Sequence, residues 1–170
     1  MTSQLSATLH LDQERPGDGL AIETLHETAF GPGRYAKTAW RMRDGVDPVP
    51  GLSYVVRSAQ GMLLGSVRYS AIRVGETPAL MLGPLAVIPA RQRNGIGLML
   101  MAESLLAARE QRHALVLLVG DEAYYRKAGF APVPDGRVSF PGPVDPARLL
   151  YLELSEGAMD GAGGAVVMDR

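Results

Sequence analysis

A basic, glycine-containing loop carries the residues of this 170-residue chain whose spacing most clearly suggests chemistry. Residues 91–97 read Arg-Gln-Arg-Asn-Gly-Ile-Gly and precede a predicted helix that runs to about Gln111. The first amides of a helix have no partners within the helix, and together with the helix dipole they attract anions. Gly95 and Gly97 have no side chain to keep a phosphate away from the backbone. The loop therefore predicts a site for the diphosphate of a nucleotide-bearing cofactor, the alternative being that both glycines only permit a tight turn and close helix packing.

Two familiar nucleotide-binding loops do not fit this stretch. A Walker loop needs Gly-Lys-Ser or Gly-Lys-Thr, which the chain does not contain. A Rossmann fingerprint needs a third small residue, and Leu100 stands where Gly or Ala is required. An unrelated nucleotide-binding domain is therefore the least favoured interpretation.

The elements expected around the loop form a mixed α/β (α+β) sheet with helices on both faces. Apolar periodicity predicts strands over 7–11, 52–57, 62–74, 79–87, 114–119 and 149–154, and helices over 20–29, 35–42, 97–111 and 121–127. Antiparallel hairpins come first and a parallel crossover follows. Pro84 interrupts an apolar strand, which predicts a bulge or a splay at that point. We assign residues 1–156 to one domain and expect the Gly/Ala-rich segment 157–170 to be a flexible tail.

Composition argues against several classes of function. The 17 basic and 18 acidic residues leave a net charge of -1, which disfavours a dedicated nucleic-acid binder. The chain has no cysteine, and its three histidines are scattered, so we expect no metal site. No apolar stretch is long enough to span a bilayer and no Gly-x-Ser-x-Gly elbow is present, so we expect a cytoplasmic protein that is neither membrane-bound nor a serine hydrolase.

Several motifs between residues 80 and 146 resemble one family. Residues 85–97 contain Leu-Ala-Val-x-Pro followed by Gln-x-x-Gly-x-Gly, and residues 125–130 contain Tyr-x-x-x-Gly-Phe. This combination resembles the acetyl-CoA loop and the tyrosine motif of the GNAT N-acetyltransferase superfamily. The strings Gly-Asp-x-Ala-Tyr-Tyr (120–125) and Pro-Gly-Pro-Val-Asp-Pro (141–146) are similar to its bacterial YhbS-like subgroup.

The resemblance implies an acyl-CoA N-acyltransferase fold with a splay between two parallel strands, here Leu80–Val87 and Ala114–Val119. Acetyl-CoA would lie in the splay as cosubstrate, with its pantetheine arm along the first strand and its diphosphate on the loop amides. The residues expected to bind it are Leu85, Ala86, Val87, Gln92, Arg93, Asn94, Gly95, Ile96 and Gly97.

The reaction implied is direct attack of an amine on the thioester within a ternary complex. A backbone N–H near Val87 would stabilise the oxyanion. Tyr125 occupies the position of the family's tyrosine and would protonate the leaving thiolate. Its neighbour Tyr124 would point about 100° away on a helix, so both cannot serve. The alternative is that both tyrosines are core residues.

The general base is not identified by the sequence. The family often places a carboxylate on the strand near residues 80–85, and this chain has none there. A chain of water molecules, Glu23, His26 or Glu27 could take the proton, although each of these side chains could equally be an ordinary residue of the first helix. The missing carboxylate also leaves open an O-acetyl acceptor or a non-catalytic acyl-CoA-binding module. The acceptor is expected to be a small-molecule or protein amine, and a homodimer remains open.

Overall fold

The computed structural model describes residues 8–170, and this part of the chain contains nine strands and four α-helices. The strands are β1 (Leu9–Gln13), β2 (Tyr54–Ser58), β3 (Leu63–Val74), β4 (Thr77–Val87), β5 (Leu115–Val119), β6 (Ala131–Pro132), β7 (Val138–Ser139), β8 (Leu149–Glu153) and β9 (Gly164–Met168). The helices are α1 (Gly19–Phe30), α2 (Thr38–Met42), α3 (Ile96–Glu110) and α4 (Glu122–Tyr125). The ends of the predicted elements shift by a few residues, and residue 7 of the first predicted strand lies outside the described residues.

The sheet has the order β1-β2-β3-β4-β5-β8-β6. The pairs along this path are antiparallel except β4 with β5, which run parallel on either side of the crossover through α3. The predicted mixed sheet is therefore confirmed. Short helices are difficult to delimit from sequence, and the predicted helix over 35–42 is in fact a 3-10 turn, Pro32–Ala36, followed by α2.

Both faces of the central strands are buried. In β4, Leu80 and Leu82 belong to the core beneath α3, whereas Ala79 and Met81 belong to a second core on the opposite face. Alternate side chains of a strand point to opposite faces, so a strand covered on both sides must be apolar throughout. This requirement explains the apolar run that predicted β4.

The segment 157–170 is not the flexible tail expected from its composition. Its strand β9 pairs with the end of β3, where Val166 lies opposite Val74, and Met159 is buried in the second core. The pairing of β3 with β2 ends at Val67, so the remainder of β3 presents a free edge that β9 covers. Glycine-rich composition suggested mobility, but a few apolar residues and an open strand edge hold the segment in place.

The parallel pair opens after two residues. Leu80 lies opposite Val116 and Met81 opposite Leu117, and no further pairing joins β4 to β5. On the other side of β4, Leu82 faces Tyr69 and Leu85 faces Val67, so that two residues, Gly83 and Pro84, stand opposite one. The predicted irregularity at Pro84 is thus confirmed as a bulge, and it lies where the two parallel strands separate.

Candidate active site

The loop before α3 has a backbone shape that leaves a row of amides available to a ligand. Arg93 and Gly95 adopt left-handed conformations, with φ of 66° and 82°, and Gly95 caps the helix. Within residues 8–170, the amides of residues 93–98 find no hydrogen-bond acceptor. The side chain of Gln92 donates to the carbonyl oxygen of Val87 at 3.2 Å and so ties the loop to the end of β4. The loop is therefore held in a shape that can receive an anion.

The two loop glycines are required for different reasons. The space where a Cβ of Gly95 would lie is open, so Gly95 is favoured there by its left-handed backbone. A Cβ on Gly97 would instead collide with the hydroxyl of Tyr124, which packs against the start of α3. For Gly97 the structure thus supports close packing, which the sequence analysis gave as the alternative to phosphate binding.

The loop opens into a cavity of about 630 Å³, which we call the loop cavity. It lies between the N-terminus of α3, the end of β4 and the exposed side of α4. Of the residues expected to bind the cosubstrate, seven line it: Leu85, Val87, Gln92, Arg93, Gly95, Ile96 and Gly97. The other two are Ala86, whose side chain is buried, and Asn94, which is exposed. The backbone groups of both residues could still take part, as the sequence suggested.

A second cavity, of about 600 Å³, lies on the other side of the splay, and we call it the α2 cavity. It is bounded by the segment 30–43 around α2, the bulge of β4, the end of β5 and the segment 143–148. The two cavities share three lining residues, Leu85, Asp121 and Tyr125. They therefore meet inside the splay.

Tyr125 stands at this junction. Its ring packs edge-on against Tyr124 and Phe130, with centroids 5.0 and 5.9 Å away. Burial, with a smaller contribution from Tyr124, raises the pKa of Tyr125 to about 12, and the positive charges of Arg43 and Arg148 oppose the rise. The phenol is thus protonated at neutral pH and can donate its proton. Tyr124 diverges toward Gly97, as the helical spacing predicted.

Two of the side chains predicted as candidates for a base, Glu23 and His26, line a third cavity, of about 720 Å³, which we call the α1 cavity. His26 lines it and is almost fully buried, and its Nε2 has no hydrogen-bond partner among the described residues. Burial lowers the pKa of His26 to about 4, so the ring is neutral but weakly basic. Glu23 accepts a hydrogen bond from Arg34 at 3.3 Å. Glu27 is exposed and lines none of the three cavities.

Sequence reasoning missed Arg43, which lines both the α1 and the α2 cavity. It follows α2, and its Nη2 donates to the carbonyl oxygen of Leu82 at 3.2 Å, beside the bulge at Gly83. Burial lowers the pKa of Arg43 to about 10, which still leaves it charged at neutral pH. A cation therefore lies against the stretch of β4, residues 80–85, that has no carboxylate of its own. An arginine at the end of a short helix gives no sequence signal of this, because such residues usually face solvent.

The described residues contain no group of three or more His, Cys, Asp or Glu side chains that could hold a metal ion. None of the helices in residues 8–170 has both the length and the apolar character needed to cross a membrane.

Known proteins resemble this chain along nearly its whole length. An uncharacterized N-acetyltransferase of Escherichia coli K12, YhbS, is 29% identical over 157 residues, which cover 90% of this chain and 92% of YhbS. The crystal structure of E. coli YhbS in complex with CoA superposes with a TM-score of 0.82 at 24% identity and covers 99% of this chain and 94% of that one. A GNAT acetyltransferase from Brucella melitensis, in complex with acetyl-CoA, has a TM-score of 0.72 at 28% identity, with 96% and 97% covered.

These similarities confirm the resemblance to the YhbS-like subgroup and the predicted fold. The family model described as the acetyltransferase (GNAT) family matches residues 20–130, which include the loop and the Tyr-x-x-x-Gly-Phe motif. That match spans more than half of the chain. The protein therefore belongs to the GNAT family of acetyltransferases.

Proposed function

We propose that this protein transfers an acetyl group from acetyl-CoA to an amine by direct attack in a ternary complex. The observation that carries the proposal is the meeting of the loop cavity and the α2 cavity at Tyr125, inside the splay. One cavity offers unpartnered amides for a diphosphate, and the other offers room for an acceptor. A proton donor stands where the two substrates would touch.

The residues present fit the coenzyme. The amides of residues 93–98, which have no partner in the described part of the chain, and the side chain of Arg93 suit a diphosphate. Beyond Met81, β4 has lost its parallel neighbour, so the main chain of residues 85–87 has no strand partner on that side within the described residues, and the amides of a pantetheine arm could pair with it. An extended ligand can pair with an exposed strand edge of this kind, a mode of binding called β-strand addition. The Brucella relative, whose structure holds acetyl-CoA, adds support.

In the proposed reaction the acetyl group moves from sulfur to nitrogen, and a proton replaces it on the sulfur. The amine nitrogen forms a bond to the acetyl carbon, and the carbon–sulfur bond breaks. A backbone N–H near Val87 stabilises the oxyanion of the tetrahedral intermediate. Tyr125 gives its proton to the departing thiolate, and the proton lost by the amine restores the phenol through solvent.

Water in the α2 cavity is our proposed acceptor of the amine proton. His26 has a pKa of about 4, too low for efficient removal of a proton from an ordinary amine. Glu23 is engaged by Arg34, and Glu27 lies outside the cavities.

The first experiment is calorimetry with CoA, followed by a thiol-release assay with acetyl-CoA and a panel of amines. We expect CoA to bind and at least one amine to release thiol well above the rate of hydrolysis. Binding of CoA without release for any amine or alcohol would favour the non-catalytic acyl-CoA-binding module, for which the missing strand carboxylate is the one supporting observation. No binding of CoA would overturn both.

The proposal extends to a cytoplasmic location, with which the cysteine-free sequence is compatible. A homodimer stays a prediction, to be tested by analytical ultracentrifugation with and without CoA.

A further inference from the structure

The α2 cavity carries more positive than negative side chains. Its basic lining residues are Arg34, Lys37, Arg43 and Arg148, and its acidic ones are Asp121 and Asp145. Both carboxylates already accept hydrogen bonds from backbone amides two residues further along the chain, at 3.3 and 3.0 Å. The cavity would therefore repel a purely cationic acceptor.

Three other buried or partly buried arginines each pair with an acidic side chain, and among the described residues Arg43 does not. Arg57 pairs with Asp18 at 2.6 Å, Arg68 forms a two-pronged contact with Glu14, and Arg34 pairs with Glu23 at 3.3 Å. Arg43 makes no ion pair with any carboxylate of residues 8–170, and the first seven residues contain no Asp or Glu.

The hydrogen bonds of Arg43 are also incomplete. A guanidinium has five N–H groups. One amino group donates to the carbonyl oxygen of Leu82, and Nε is buried without a partner among residues 8–170. A charge held out of bulk water without a counterion is costly, so an unpaired guanidinium beside an open cavity is suited to receive an anion.

We propose that Arg43 binds an anionic group of the acceptor, either a carboxylate or a phosphate. The inference rests on the acetyl-transfer function proposed above, and it narrows the acceptors to amines that carry such a group. The planar fork of a guanidinium matches both groups with two parallel hydrogen bonds. Polyamines and simple alkylamines lack the anion and are disfavoured by the charge of the cavity.

The position of Arg43 links recognition to the reaction. The guanidinium rests against Gly83 in the bulge, and Arg43 and Tyr125 line the same cavity at the splay. An acceptor anchored there by its anion would place its amine within the same cavity as the tyrosine. Neutralising the anchor's charge with the anion also removes the repulsion that the incoming amine would otherwise meet.

Matched acceptors test the proposal. Thiol release is measured with amino acids, with their amides, with aminoalkyl phosphates and with polyamines, for the wild type and for Arg43→Gln. We expect kcat/KM for the anionic amines to exceed that for their neutral counterparts by about 10- to 100-fold, and Arg43→Gln to abolish this preference. Arg109→Gln, at the far end of α3, is the control and should leave the preference intact. Equal rates for anionic and neutral amines, or a preference for polyamines, would overturn the inference while leaving acetyl transfer in place.

A binding measurement keeps the test independent of turnover. Thermal shifts are recorded for N-acetylamino acids and for the corresponding amides, with and without CoA. A larger shift with the carboxylates that is lost in Arg43→Gln supports the inference, and equal shifts contradict it. Arg43→Lys keeps the charge but not the fork, so it should fold normally and retain part of the preference.

Discussion

The loop cavity and the α2 cavity are assembled in different ways. The loop cavity is built by two short continuous stretches of the chain, residues 85–98 and 121–127. The α2 cavity collects side chains from the segment around α2, the bulge of β4, the end of β5 and the segment after residue 142. Local sequence therefore encodes the first cavity, whereas tertiary packing creates the second. The loop cavity can therefore stay the same while the α2 cavity changes with the acceptor.

The largest effect is expected at the junction of the two cavities. Tyr125→Phe removes the proposed acid but keeps the ring that packs on Phe130. We expect kcat to fall about 100-fold or more, while the affinity for CoA and the KM for the acceptor stay close to wild type. Steady-state kinetics and calorimetry measure the three values. Tyr124→Phe, next along the same helix, should lower kcat far less, and equal losses in both variants would argue against the acid role of Tyr125.

The α1 cavity, which shares Arg43 with the α2 cavity, contains an acid-sensitive group, His26. Burial lowers the pKa of His26 to about 4 from 6.5, so the unfolded chain takes up the proton first as the pH falls. The contribution of His26 to stability is therefore present above pH 6.5 and is lost as the pH falls toward 4. We expect a loss of about 2 kcal/mol between pH 7 and pH 5 from this group.

Urea denaturation across this range measures the effect. His26→Gln should flatten the dependence of stability on pH, whereas His10→Gln, at an exposed position, should not. An unchanged slope in His26→Gln would show that another group senses the acid.

A smaller effect is expected on the loop side, at Gly97. A methyl group there would collide with the hydroxyl of Tyr124, so Gly97→Ala should destabilise the protein by about 1–2 kcal/mol and weaken CoA binding. Adding Tyr124→Phe removes the colliding oxygen and should restore part of the loss. Thermal denaturation and calorimetry on this double-mutant cycle measure the coupling. Gly95→Ala, strained by its left-handed backbone rather than by a contact, should not be rescued by Tyr124→Phe.

The same difference between the two cavities explains what could be predicted from the sequence. The loop at residues 91–97 was predicted from the types and spacing of neighbouring residues, and Tyr125 was predicted from its position in a motif that resembles the family's; their binding and catalytic roles stay predictions. Pro84 also indicated a bulge, because a proline within a strand removes a hydrogen-bond donor. These local rules account for most of the central sheet and for the loop cavity.

The features that were missed depend on distant parts of the chain. Arg43 is held in part by a hydrogen bond to the carbonyl oxygen of Leu82, which lies 39 residues further on and next to the bulge. The segment 157–170 is ordered because β3 leaves an edge open, and composition alone pointed to a flexible tail. Neither relationship can be seen in a short window of sequence.

A crystal structure of the protein with CoA tests the central claim most directly. We predict that the diphosphate lies on the amides of residues 93–98 and that the thiol reaches the junction of the two cavities, beside the hydroxyl of Tyr125. A diphosphate bound elsewhere, or a thiol directed away from Tyr125, would contradict the account.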